Sequence, residues 1–195
     1  MKTINLKKSH TLYANMLPGI LFAMAASSCL SETDSESKST KISIGNDVPA
    51  FTADVTLTDT ADWRYCAQGN YAYDSQSAIG RRGVVVFFHT LCNDCRRELP
   101  VIQAFYDKVK ADSTISLVCI SRAESNSEVL QYWDQQRFTL PVSPQPDRRI
   151  YEMFASSVIP RTYIIDRRGK VTNIFTDRDT LTVERLEEVV RHAAG

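Results

Sequence analysis

The chain has 195 residues, 43% of them hydrophobic and 24% charged, with 23 basic against 23 acidic side chains and only seven glycines and seven prolines. These numbers exclude collagen-like, coiled-coil and wholly disordered chains and leave room for one ordinary domain with a real core. The balanced charge lacks the basic excess of a nucleic-acid binder, so no nucleic-acid partner is expected. The balance also hides an asymmetry. Residues 1–28 hold Lys2, Lys7 and Lys8 and no acid, so the remainder carries 20 bases against 23 acids and is mildly acidic.

In chain order, the first segment reads as a targeting sequence. Three lysines form a positive start, and Met16 to Ala26 form an apolar run of 11 residues. That is far short of the ~20 residues that span a bilayer, and Pro18-Gly19 interrupts it. The run passes into Ala25-Ala26-Ser27-Ser28 and stops at Cys29. This approach resembles a bacterial lipobox, which implies a signal peptide over 1–28, lipid on Cys29, and membrane attachment through that lipid in the cell envelope. The alternative is a plain secretory signal with an incidental cysteine. Leu30 to Thr40 is rich in serine and acid with one apolar residue, which predicts a flexible tether over 29–41 and a globular domain over 42–195.

Within that domain, Gly83 to Phe88 is a continuous apolar run, the pattern of a strand buried on both faces. Cys95, Leu99, Ile102, Phe105, Tyr106 and Val109 then fall on one face of a helix. Pro100 inside it is expected to kink it. Ile115 to Ile120 is a second buried strand. Ser125 and Glu128 have the spacing of a capping box, opening a helix through Val129, Leu130 and Trp133. Trp133 is read as core and Tyr132 as helix surface. A short helix is expected over Asp147–Phe154, after a proline-rich turn. Thr162–Ile165 and Lys170–Phe175 flank the turn Asp166–Gly169 as a hairpin, and Leu186, Val189, Val190 and Ala193 stripe a closing helix. Strands and helices in this order predict an α/β fold, a central sheet with helices on both faces.

Strand and helix meet at Cys92-Asn93-Asp94-Cys95. A residue there lies at the carboxyl edge of the sheet, beside unpaired helix N–H groups and their partial positive charge. Both favour a thiolate over a thiol, which makes Cys92 the expected nucleophile and Cys95, one turn inside the helix, the expected resolving thiol.

The block from Phe88 to Pro100, with Cys92, Cys95, Glu98 and Pro100 in a C-x-x-C-x-x-E-x-P pattern, resembles the TlpA/ResA-type thiol–disulfide oxidoreductases of the thioredoxin superfamily. Ile44 to Phe51 resembles the opening segment of that family, and Ile159 to Gly169 resembles its cis-proline strand and hairpin. The resemblance covers about residues 42–193. It implies a thioredoxin-like three-layer fold, Cys92 as attacking and Cys95 as resolving thiol, Glu98 as a buried acid that moves protons, and Pro160 as a cis proline beside the sulfurs. It implies no cofactor beyond the redox-active pair. Protein disulfides and thiols would be the substrates, and an upstream electron donor would restore the dithiol.

Glu98 also has a reading from its position. A carboxylate one turn after Cys95, if buried, holds its proton to higher pH and can accept one from that thiol; a solvent-facing glutamate is the alternative. Leu91 and Asp94 depart from the tryptophan and proline usual in the family. Asp94 opposes thiolate formation at Cys92 while Arg96 and Arg97 favour it, and a reductant is expected more than a strong oxidant. His89 either tunes Cys92 or packs. Cys119 is read as a buried apolar residue, and Cys66 as unpaired, with a Cys66–Cys119 bridge as the alternative. Three rivals remain. A peroxiredoxin would want proline at Val85 and threonine at His89. A metal-handling protein could use Cys92, Cys95 and His89 but lacks a fourth ligand for closed zinc coordination. A non-catalytic lipoprotein would carry the motif as a relic.

Overall fold

The computed structural model describes residues 39–57 and 72–193. The signal segment, Cys29 and Cys66 lie outside them. A five-stranded mixed sheet runs in the order β5-β4-β3-β6-β7, with β3 Arg82–Phe88, β4 Ile115–Ser121, β5 Val142–Ser143, β6 Arg161–Ile165 and β7 Val171–Thr176. β3 pairs parallel with β4 and antiparallel with β6. A separate antiparallel pair, β1 Thr52–Asp54 with β2 Ala72–Asp74, leads to the sheet edge, where Thr56 bridges Val142. The sequence patterning did not reveal β1, β2 or β5, each too short to show a period.

β3 fixes the layers because adjacent side chains on a strand face opposite ways. Phe87 meets Tyr151 and Phe154 of α3 (Arg149–Phe154), with ring centroids 5.4 and 4.9 Å away. Phe88 meets Trp133 of α2 (Asn126–Gln136) at 4.8 Å. Helices therefore cover both faces, as expected. α1 (Asn93–Val109) turns Leu99, Ile102, Phe105 and Tyr106 inward and packs along α4 (Val183–His192). α1 continues through Pro100 without a break.

Local chemistry sets several ends. The capping box at Ser125 is complete: Ser125 Oγ accepts from the Glu128 amide, and Glu128 Oε2 accepts from the Ser125 amide at 3.0 Å. Ser125→Ala should cost about 1 kcal/mol of stability, read from urea midpoints, with no change at the cysteines. The turn between β6 and β7 closes on Asp166, whose Oδ1 accepts from the amides of Arg168 and Lys170, both at 2.8 Å, and Gly169 takes φ +82°.

Two expectations need correction. Tyr132 is buried under Arg96, whose guanidinium carbon lies 5.5 Å from the ring centre. The tether was expected to reach residue 41, yet Ser39 is buried and Thr40 bridges Ala155. The folded unit includes both. Ser39 is buried among polar partners, so a rule based on apolar content passes over it.

Candidate active site

Parallel β3 and β4 end at one edge, in register at Phe88 and Ser121, and the chain leaves β3 through His89–Leu91 into α1. Cys92 is the N-cap of α1 in extended conformation, with its sulfur 3.5 Å from the Cys95 amide that it accepts from. The same Sγ lies 3.7 Å from the Ile159 carbonyl. The Ile159–Pro160 bond is cis. Helix cap and cis-proline loop thus meet at one sulfur, which remains partly exposed.

Cys95 is buried, and Cys92, Cys95 and Cys119 are free thiols. Burial first, then the hydrogen bond with Cys92, pushes the Cys95 thiol far above the usual thiol range; the His89 backbone amide opposes this. Cys119, inside β4, is pushed up by burial as well. Neighbouring thiols therefore stand in different settings, one reachable and one shielded.

Glu98 is buried and accepts from Thr162 Oγ1 at 2.7 Å. Burial raises its carboxyl to about 7, the Thr162 hydroxyl opposing and Asp179 adding to the rise. Its charge acts on both Cys95 and Cys119. A groove of about 250 Å³, lined by Asp94, Arg97, Glu98, Pro160 and Asp179, opens beside it. Glu98 is therefore shielded enough to hold a proton near neutrality and placed where a groove reaches it.

This shift has a consequence for folding. Between pH 4.5 and about 7 the folded chain keeps a proton on Glu98 that the unfolded chain has released. Stability is thus full below 4.5 and falls as pH rises to about 7, by about 3 kcal/mol in all. Glu98→Gln should remove that loss. Urea unfolding of both proteins at several pH values checks this, with the variant the more stable above pH 7.

Asp94 and Arg97 form an ion pair, so their opposing charges largely cancel next to Cys92. Arg96 turns away, donating to the Thr90 carbonyl at 2.5 Å and covering Tyr132. His89 Nδ1 accepts from the Leu91 amide at 3.1 Å and lies 3.3 Å from Glu124 Oε1. Its ring packs into a polar cluster.

Sequence reading missed Glu124, Thr90 and Thr162. Glu124 is buried, takes the Thr90 amide at 3.0 Å and also the Thr90 hydroxyl. Its signal was the parallel pairing itself: two strands ending level bring the residues just beyond them together. A second groove of about 340 Å³, lined by His89, Leu91, Arg96, Glu124 and Tyr132, flanks the cysteines on that side. Among the described residues, no cluster of three or more His, Cys, Asp or Glu is placed to hold a metal ion.

The model of the AhpC/TSA family matches residues 44–174. The thiol-disulfide oxidoreductase ResA of Oceanobacillus iheyensis is 28% identical over 112 residues, 57% of each chain. The sporulation thiol-disulfide oxidoreductase A of Bacillus subtilis is 25% identical over 112 residues, 56% of this chain and 66% of that one. The match thus spans less than two thirds of the length of these two relatives. ResA of Bacillus subtilis is 27% identical over 136 residues, 69% of this chain and 68% of its own. Among solved structures, a thioredoxin family thiol:disulfide interchange protein from Chlorobium tepidum superposes with a TM-score of 0.61 at 21% identity, covering 78% of this chain and 99% of that one. StoA of Bacillus subtilis does so at 0.54 and 18%, covering 72% and 96%. The fold is thioredoxin-like.

Proposed function

We propose that this chain, which belongs to the AhpC/TSA family, is a thiol–disulfide oxidoreductase that reduces protein disulfides through Cys92 and Cys95. The observation that carries the reading is the pairing of a reachable sulfur at a helix N-cap with a buried one, beside a carboxyl poised near neutrality. The cap position leaves the first sulfur open to a substrate disulfide, and burial reserves the second thiol for a later step.

The cycle follows from those positions. The Cys92 thiolate attacks one sulfur of a substrate disulfide; the substrate S–S bond breaks and one substrate thiolate leaves. Cys95 then gives its proton to the Glu98 carboxylate and attacks the Cys92 sulfur of the mixed disulfide. The second substrate thiolate departs and takes up the proton from Glu98 or from water. Two electrons have passed to the substrate, leaving a Cys92–Cys95 disulfide. An external thiol donor restores the pair, and the reading calls for no other cofactor. Pro160 and Ile159 form the wall against which a substrate chain lies. A signal peptide over 1–28 and lipid on Cys29 would place this chemistry at the cell envelope, on a membrane surface.

Insulin reduction with dithiothreitol tests the reading. The protein should accelerate it and Cys92→Ser should not. A parent protein that adds nothing to the dithiothreitol background overturns it. A peroxidase reading has less support, because Val85 and His89 occupy the positions where that signature wants proline and threonine.

A further inference from the structure

Arg161 follows the cis proline and opens β6, and its side chain is wholly buried. Burying a guanidinium is costly unless its donors are met. Here the partners among the described residues include four neutral oxygens, with the Tyr163 hydroxyl beside the guanidinium as a further one. Nε donates to the carbonyls of Ser157 (3.4 Å) and Val158 (3.2 Å), Nη1 to Thr40 Oγ1 (2.9 Å) and Nη2 to Ser39 Oγ (2.6 Å). Each of these atoms belongs to chain that leads to the cysteine site or packs behind it.

Val158 has φ +70°, a conformation that β-branched residues rarely adopt. Its carbonyl is held twice, by Arg161 and by the Tyr151 hydroxyl at 2.8 Å. The next carbonyl, that of Ile159, is the one facing Cys92. On the other side, residues 39–42 are bound to the turn before this loop. The Ser156 amide donates to the Ser39 carbonyl at 2.7 Å, and the amides of Lys41 and Ile42 donate to the Phe154 carbonyl at 2.9 and 3.1 Å. Along β6, Thr162 reaches Glu98 on the α1 side, so Arg161 and Tyr163 project to the α3 side. Arg161 therefore acts on the site from behind the loop, without touching either sulfur.

We propose that Arg161 is a positioning residue for disulfide exchange, fixing the Ser157–Pro160 loop whose Ile159 carbonyl faces Cys92 and drawing Ser39 and Thr40 into the same unit. The proposal rests on the exchange reading given above. Methionine keeps the length of the side chain without donors. Lysine keeps the charge but cannot serve acceptors on both sides of the planar fork at once. Either change loosens the loop along which a protein substrate lies. A small disulfide needs no such docking.

The test uses the full chain in detergent, reduced, as parent, Arg161→Met, Arg161→Lys and the double variant Ser39→Ala/Thr40→Val. Each is mixed with insulin or with a small aromatic disulfide that releases a coloured thiolate. The insulin rate should fall about 10-fold or more in every variant while the small-disulfide rate stays within about twofold, the pattern of lost positioning with intact chemistry. Equal loss toward both disulfides, or loss toward neither, overturns the role. Should Arg161→Met fail to fold, the Ser39/Thr40 variant decides, because it removes two acceptors and leaves the guanidinium in place. A parent inert toward insulin overturns the exchange reading itself, so the two failures are distinct.

Discussion

Cys92→Ser should reduce exchange with a protein disulfide to the uncatalysed background, a loss above about 10⁴-fold, since a hydroxyl cannot replace the attacking thiolate. The fold should survive this change. Cys92 is an N-cap whose sulfur accepts from the Cys95 amide at 3.5 Å, and serine is among the strongest N-cap residues. A thermal midpoint unchanged or slightly raised, together with lost activity, separates chemistry from folding. Retained activity in this variant would mean that another thiol starts the reaction.

The second large effect is expected at Glu98. The Cys95 thiol is held far above its usual range by burial, so at neutral pH it needs a nearby base before it can attack. Glu98 lies three residues further along α1, on the same face, with a carboxyl raised to about 7. Above that pH it is ionised and can accept the proton; below it, the site is already filled. Resolution of the mixed disulfide should therefore speed up as pH rises through about 7. Glu98→Gln keeps an acceptor for the Thr162 hydroxyl but no base, and should slow resolution by about 10²- to 10⁴-fold, the usual range for a lost general base. Formation of the mixed disulfide at Cys92 should change little. Rapid acid quench of a single turnover at pH 5 to 9 reads both steps. A Glu98→Gln profile that still bends near 7 would assign the proton to another group.

How much of this was legible beforehand depends on the range of the interaction that sets each feature. The cysteine helix, the Ser125 box and the Asp166–Gly169 turn are written in neighbouring residues, and the structure has all three. The carboxyl-edge position of Cys92 followed from a buried strand passing into a helix. By contrast, Glu124 meets Thr90 across 34 residues and Arg161 meets Ser39 across 122. No local period announces such polar contacts, and Ser39 and Thr40 look like tether until a buried guanidinium needs their oxygens. Tyr132 is covered by Arg96, a charged side chain laid over an aromatic face, which apolar patterning also passes over. The burial of Glu98 depended on where α1 sits against β6, a fact of packing.

The order of the two sulfurs is the centre of the account, and Cys95→Ser tests it most directly. With the resolving thiol gone, a substrate attacked by Cys92 cannot be released, and a mixed disulfide should accumulate. Mass spectrometry after non-reducing separation should find the captured chain joined to Cys92. A protein that captures nothing while Cys92 remains open to alkylation, or that captures through Cys119 instead, would contradict the account.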